Sequence, residues 1–380
     1  MAQILYLVNV CEGSNTYRRA VNLKSAIEGM DKRVDIRLIS RKQTIGTDFL
    51  RFSKFLANNR ADMFHIFEPF LPTFPILYFF IRSLRDPIIY DSGDIHFAVS
   101  KMSGEFLFPY YPILKFSESI AFRFSDKIVV RGRGMKKVLE YLYQVNPEKI
   151  VWIPDGVDLS RFFPVPSYQA KKMLGLENKF IIGYTSSYRP ISLGGTKLGR
   201  GWELLYVAKR LVNIGYKDFV IIMMGKGKML NLLKKIAVDL GIGDFIKFIG
   251  FIPYDSNLYP LYINACDIGF YESVKDISYH AMIGTKMLEF MACGKPMVAG
   301  NIDEARYALP HAGILIEPLR LSRQEDINRY LNDLVNAIIT LMEDETLRKK
   351  LGSNARKVVE KYYNWNIIAK KLHSLYVTLL

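Results

Sequence analysis

Phe163-Pro164-Val165-Pro166 is the stretch on which the fold turns. Proline fixes its own φ, lacks an N–H and disfavours helix at the residue before it, so this proline pair reads as a linker. On its N-terminal side, short β-branched or aromatic runs alternate with amphipathic stretches such as Asn15–Glu28 and Met135–Tyr143. The runs are Ile4–Asn9, Val34–Ile39, Met63–Phe67, Ile88–Asp91, Ile128–Arg131 and Val151–Ile153. Beyond the prolines the grammar restarts with Phe180–Tyr184, Phe219–Met224, Ile246–Ile249, Ile268–Tyr271, Met297–Ala299 and Ile314–Ile316. Helical patterns at Trp202–Asn213, Leu230–Leu240 and Met287–Cys293 separate them, and the tail from Gln324 to Leu380 reads as mostly helical with a break near Tyr363-Asn364. Strands alternating with helices predict parallel sheets covered on both faces. The expected fold is α/β, with two Rossmann-like, doubly wound parallel-sheet domains over 1–165 and 166–362 and a final helix over 363–380. Such sheets bind ligands beyond the carboxyl ends of their strands, so a cleft faced by both is the default active site.

Composition agrees with this reading. A chain of 380 residues suggests about two domains, and half hydrophobic with 23% charged is globular rather than disordered. Three cysteines, Cys11, Cys266 and Cys293, form no C-x-x-C pair, which argues against a disulfide scaffold or zinc ribbon and for a reducing compartment. No stretch approaches the ~20 apolar residues of a spanning helix. The opening residues, Met1 to Val8, read as a first strand rather than a signal peptide. The expectation is a soluble, cytoplasmic protein. A formal charge of +15 is spread over both halves without a long basic run. It suits anionic small molecules or an anionic membrane surface better than a nucleic acid.

The most informative chemical stretch is Gly284-Thr285-Lys286-Met287-Leu288-Glu289-Phe290-Met291-Ala292-Cys293-Gly294-Lys295-Pro296. Gly284 opens a helix, Lys286 sits in its first turn, and Glu289 follows about one turn later. Free N–H groups and the dipole at such a helix start attract phosphate. Glu289 could accept hydrogen bonds from a ribose diol, although a helix whose glutamate faces water would give the same pattern.

This stretch resembles the nucleotide-sugar motif of family 4 glycosyltransferases, retaining enzymes of the GT-B fold. In that family a glutamate pair eight residues apart precedes an A-x-G-x-P turn, and Glu289 with Ala292–Pro296 matches the second glutamate and the turn. Further family marks follow in order. Ile153–Asp158 through Phe162 resembles the linker signature, with Asp155 where asparagine is commoner, and Met224-Gly225-Lys226-Gly227 resembles a Gly-x-Gly after the second strand of the nucleotide domain. Phe248–Ile252, including Phe251 and Ile252, resembles the segment flanking the base, and Ala265–Ile268 precedes the donor loop. Trp365 opens the helix that in relatives crosses back onto the N-terminal domain. The resemblance covers nearly the whole chain.

Two departures matter. Ala281 stands where the first glutamate, which touches the donor sugar in relatives, would be; His280, Glu272 or Asp276 could substitute. The loop after Phe180–Tyr184 is expanded and runs from Thr185 through Arg189 to Gly194-Gly195-Thr196-Lys197-Leu198-Gly199-Arg200-Gly201. Arg200 matches the family's diphosphate-binding lysine, and Arg189 or Lys197 could take the part of its arginine. A flexible basic loop would explain Arg189 and Lys197 equally. Fixed cations there would stabilise the leaving diphosphate.

In the N-terminal half, Cys11-Glu12-Gly13-Ser14-Asn15 lies where relatives carry a glycine-rich loop, although capping alone would account for Ser14 or Asn15. Asp91-Ser92-Gly93-Asp94-Ile95-His96 lies where relatives often carry a His or His-Asp close to the reacting sugar. Asp94 and His96 are therefore the candidate catalytic residues, with an uninvolved loop histidine as the alternative. His65 fits core or cleft wall. Phe49–Leu56, with Phe70–Ile81 and Phe106–Tyr111, suits either membrane docking or ordinary helix packing.

The resemblance implies a glycosyltransferase moving a hexose, with retention, from a UDP- or GDP-linked sugar to a hydroxyl of a saccharide or lipid-linked acceptor. It implies no cofactor and no metal; contact with the inner membrane face is the alternative left open by Phe49–Leu56, Phe70–Ile81 and Phe106–Tyr111. Gly13, Arg189, Lys197, Arg200, Gly225, Phe251, Ile252, Gly284, Thr285, Lys286 and Glu289 would hold the donor. A nucleotide-sugar epimerase of the same fold and a non-catalytic scaffold remain as alternatives.

Overall fold

The computed structural model describes the chain except residues 43–44, 69–80, 82–85, 98–109, 194–195, 273–282 and 320–323. Ala281, His280, Asp276, Gly194, Gly195, nearly all of Phe70–Ile81 and the start of Phe106–Tyr111 lie outside the described residues.

The chain divides into two compact units. Among the described residues, the first is Met1–Gly156 with Tyr363–Leu380, and the second runs from Val157 to Tyr362. The division falls at Gly156, ahead of the boundary expected at 165. The reason is local: Val157 and Phe162 are buried, and the Phe162 ring packs against Tyr254 and Tyr259 of the second unit.

The first unit holds six parallel strands, β1 (Ala2–Cys11), β2 (Val34–Arg41), β3 (Met63–Phe67), β4 (Ile88–Ser92), β5 (Lys127–Val130) and β6 (Ile150–Trp152), in the order β2-β1-β3-β4-β5-β6. Side-chain alternation sorts β1 onto two cores. Ile4, Tyr6 and Val8 join the core of α1 (Asn15–Met30), whereas Leu5 and Leu7 join that of α2 (Ile45–Asn58), α3 (Tyr110–Phe124) and α4 (Arg133–Tyr143). Phe52 and Leu56 of α2 are buried in that second core and Phe49 and Phe55 pack against it, while Leu50 is exposed. Packing thus accounts for the amphipathic pattern of Phe49–Leu56. The C-terminal helix, Trp365–Leu379, lies on α1 and buries Ile368, Ala369, Leu372 and Tyr376 in the first core. The Tyr376 hydroxyl meets the Tyr6 hydroxyl at 2.7 Å and His65 Nδ1 at 2.5 Å. His65 is fully buried there, and burial pushes its pKa down, so it is a core residue.

The second unit repeats the plan with β7 (Phe180–Ser186), β10 (Phe219–Gly225), β11 (Ile246–Gly250), β12 (Ile268–Tyr271), β13 (Met297–Gly300) and β14 (Gly313–Ile316), in the order β11-β10-β7-β12-β13-β14. Renumbered within the unit, that is the 3-2-1-4-5-6 order of dinucleotide-binding sheets. The segment read as an expanded loop is an antiparallel hairpin, β8 (Pro190–Leu193) with β9 (Thr196–Gly199), set before α5 (Trp202–Asn213). The helical tail breaks twice rather than once. Asp344 separates Gln324–Glu343 from Glu345–Tyr362, and its carboxylate accepts from Leu347 N at 2.7 Å as a new N-cap.

Candidate functional site

Polar groups gather beyond the carboxyl ends of the strands in both units. In the second, they surround the helix α6 (Thr285–Ala292), which enters from the stretch singled out in the sequence. The helix sits close to the sheet because two strand glycines make room for Phe290. A Cβ on Gly183 would lie 2.6 Å from the Phe290 ring, and one on Gly269 would lie 2.7 Å from it. Substituting either glycine would push the helix, with Lys286 and Glu289, off the sheet. Gly284 is the N-cap, packed against Tyr271 so closely that a Cβ would meet its hydroxyl at 2.5 Å, and Thr285 is half-buried in the first turn.

Glu289 is buried, and the buried Tyr259 hydroxyl donates to its Oε2 at 2.5 Å. Burial and the adjacent Glu289 charge hold the Tyr259 phenol well above its ordinary pKa. One turn earlier, Lys286 is half-buried. Burial lowers its pKa; Glu272 and Glu289 oppose that change, while Arg200 and Arg189 add to it. The charges of three cations and two carboxylates among the described residues therefore act on one another here. Arg200 pairs with Glu272 at 3.3 Å, and Tyr184 also donates to Glu272. The hairpin explains why Arg189 and Arg200 meet despite their sequence separation: they flank its base, and Arg200 N donates to Arg189 O at 3.1 Å. Lys197, opposite Ser192, is exposed nearer the hairpin's far end, with no described contact to the cluster. Gly225 ends β10 against β7, where a Cβ would stand 1.9 Å from Ser186 O. Phe251 is 58% exposed with Lys226 Nζ 4.2 Å from its ring centroid, and Ile252 beside it is half-buried.

Sequence reasoning missed Glu203. It lies in the first turn of α5, fully buried, and no side chain among the described residues hydrogen-bonds its carboxylate, although the backbone N–H groups of Gly201 and Glu203 lie close by. Burial, reinforced by Glu272, pushes its pKa up to about 8. A glutamate in a helix's first turn is so ordinary in sequence that nothing marked it.

In the first unit the loop after β1 places Gly13 in a left-handed turn, φ 84°, with open space around it, and Ser14 caps α1 by accepting from Tyr17 N at 3.2 Å. Behind this turn lies a buried ionic network. Asp91 accepts from Arg19 Nε at 2.8 Å and Arg131 Nε at 3.2 Å, and Arg19 also reaches Asp155 at 3.1 Å and the carbonyls of Ile153 and Pro154. Burial would raise the Asp91 pKa, but the two guanidiniums outweigh it and hold the carboxyl well below its usual range. Asp155 is thus part of the network that ties the β6 exit to α1. Asp94 is half-buried, and its charge acts on His96. His96 Nε2 donates to Glu68 Oε2 at 2.6 Å. Sequence reasoning also missed Glu68, which directly follows β3.

A family model described as "Glycosyl transferases group 1" matches residues 200–358, and one described as "Glycosyltransferase Family 4" matches residues 29–161. The chain belongs to glycosyltransferase family 4. Among curated relatives of this family 4 chain, the D-inositol 3-phosphate glycosyltransferase of Stackebrandtia nassauensis is 27% identical over 66% of the chain and 54% of its own length. The GDP-mannose-dependent alpha-(1-6)-phosphatidylinositol monomannoside mannosyltransferase of Mycobacterium tuberculosis is 23% identical over 58% of the chain and 54% of its own length. The matched part thus spans about half the length of these relatives. Anabaena Alr3699/HepE, solved with UDP and glucose, superposes with a TM-score of 0.73 over 100% of both chains at 17% identity, which shows the shared GT-B fold.

Proposed function

We propose that this chain transfers a hexose from a UDP- or GDP-linked sugar to a hydroxyl of a saccharide or glycolipid acceptor. The observation that carries the reading is the Arg200–Glu272 pair at 3.3 Å beside the start of α6, where the charges of Lys286, Arg189 and Glu289 also act, next to the point where the second sheet reverses its strand order. A diphosphate at that helix start would face free N–H groups, the positive end of the dipole and up to three side-chain cations. Glycosidic cleavage leaves negative charge on the β-phosphate, so cations fixed beforehand stabilise the transition state more than the ground state. Glu289, oriented by Tyr259, would take the ribose hydroxyls, and the exposed Phe251 face would lie against the base.

Retention is the stereochemical course we infer, with the departing phosphate taking the acceptor proton. On that course no separate base is required, and no metal or cofactor enters. Relatives named for GDP-mannose and for phosphatidylinositol mannosides support a lipid-linked acceptor, and with it work at a membrane surface, which we take to be the cytoplasmic face. Among the described residues no helix is long and apolar enough to cross a membrane. The test is nucleotide release from UDP- and GDP-sugars with inositol phosphate or phosphoinositide acceptors, followed by NMR assignment of the product's anomeric configuration. Transfer with the donor's configuration kept is the expected outcome. Epimerised donor without transfer, or no turnover of any donor, would remove the proposal.

A further inference from the structure

Glu68 carries a backbone strain that its role must justify. Its φ is 66°, in the left-handed region, where a glutamate costs about 1 kcal/mol or more relative to ordinary backbone. The carboxylate so placed is fully engaged. Oε1 accepts from Thr16 Oγ1 at 2.7 Å and lies 3.4 Å from Arg131 Nη2, and Oε2 accepts from His96 Nε2 at 2.6 Å. The space exists only because residue 93 is glycine, since a Cβ there would stand 2.0 Å from Glu68 Oε1. Four segments, the ends of β3, β4 and β5 and the start of α1, thus converge on one carboxylate whose outermost partner is His96. The His96 side chain remains 36% exposed, and no described residue accepts from its Nδ1.

We propose that Glu68 is a positioning residue that fixes the His96 ring as an imidazolium with Nε2–H turned inward, so that Nδ1–H is presented as a hydrogen-bond donor to a substrate oxygen. A neutral ring with Nε2–H given to Glu68 would instead turn a lone pair outward at Nδ1 and could act as a base. The surroundings decide between these. Glu68 faces the ring from the end of β3, Asp94 from its own loop, and Glu118 from α3, where the His96 N–H also donates to Glu118 Oε1. Tyr143 of α4 donates to Glu118, and Arg131 at the end of β5 is the opposing cation, itself paired with Asp91 and Glu68. Burial alone would lower the His96 pKa, but the three carboxylates reverse that and push it up to about 9. His96 is then a fixed cationic donor to a hydroxyl or phosphate oxygen rather than the acceptor's base. Only the identity of that oxygen rests on the transferase reading.

The experiment is an NMR titration of the free full-length protein, selectively 15N-labelled at its five histidines, with His96 assigned by His96→Gln. It needs no donor or acceptor, so its outcome is independent of whether transfer is ever observed. The wild type is expected to keep both His96 ring nitrogens protonated at pH 7.5, with a midpoint near 9, and Glu68→Gln to bring the midpoint to 6.5 or below. A wild-type His96 midpoint at or below 6.5 would overturn the proposal even if Glu68→Gln failed to fold. An unchanged midpoint in a folded Glu68→Gln protein would overturn it too, because Glu68 would then not be what holds the charge.

Discussion

The two units place their polar clusters at the same topological address, beyond the carboxyl ends of parallel strands, and wire them in opposite ways. In the first unit the buried carboxylates are matched: Asp91 has Arg19 and Arg131, and Glu68 has Thr16, Arg131 and His96. In the second, Glu203 is buried with no side-chain hydrogen-bond partner among the described residues, while cationic charge gathers around Glu272 and Glu289. The first cluster is a finished framework that orders one exposed ring edge. The second is an electrostatic site to which an anion would add the missing charge. On the proposed reading, one scaffold supports a positioning device and a ligand-dependent one, depending on whether its charges are already balanced.

The contrast is put under most stress by unbalancing the first cluster. Asp91→Ala leaves two buried guanidiniums without their shared carboxylate and is expected to cost about 3–5 kcal/mol in urea denaturation. A loss below about 1 kcal/mol, the worth of an exposed pair, would mean the network is not the closed framework described.

In the second unit, Arg200→Ala should weaken binding of the matching nucleoside diphosphate by about 10- to 100-fold, the worth of a charge-assisted hydrogen bond. Lys197→Ala, placed at the far end of the hairpin, should stay within about two-fold. Equal losses would show that the hairpin base does not select the cations.

Glu203 gives a pH signature. Its folded pKa of about 8 lies above the ordinary carboxyl value of 4.5, so the native chain holds a proton that the unfolded chain has released. Its contribution to stability is therefore complete below pH 4.5 and lost as pH rises toward 8. Glu203→Gln should be more stable than wild type by about 2 kcal/mol or more at pH 8 and nearly equal at pH 4.5, since each tenfold difference in proton affinity between the folded and unfolded chains is worth ~1.4 kcal/mol. A difference independent of pH would assign the effect to packing instead. The smallest expected effect is that of Tyr259→Phe, which removes one donor from Glu289 and should cost about 1 kcal/mol of stability with a few-fold loss of nucleotide affinity. No change in either would detach Tyr259 from the site.

The sheets were legible because hydrophobic runs carry them. Met63–Phe67 and Ile268–Tyr271 have the expected ends, and the other ten strands expected from the sequence differ from theirs by one or two residues at either end. Sequence marked the start of α6 because Gly284, Lys286 and Glu289 lie within one helical turn or so of each other. The hairpin was hidden, since Pro190–Leu193 and Thr196–Gly199 lack a strong apolar alternation, and with it the pairing of Arg189 with Arg200. Glu68 was hidden for a different reason. Its partners Thr16, His96 and Arg131 come from three distant segments, and a left-handed glutamate has no sequence signature. Glu289 was expected to face solvent or ligand; the structure also gives it to buried Tyr259, so its removal would affect folding as well as binding.

Everything proposed for the second unit depends on its holding a nucleoside diphosphate between the start of α6 and the hairpin base. Calorimetric titration of the wild type, Arg200→Ala and Lys286→Ala with UDP, GDP and ADP decides whether it does. One base is expected to bind the wild type, and both variants to lose at least about 10-fold of that affinity. Binding of none of the three, or equal binding by wild type and both variants, would contradict the assignment.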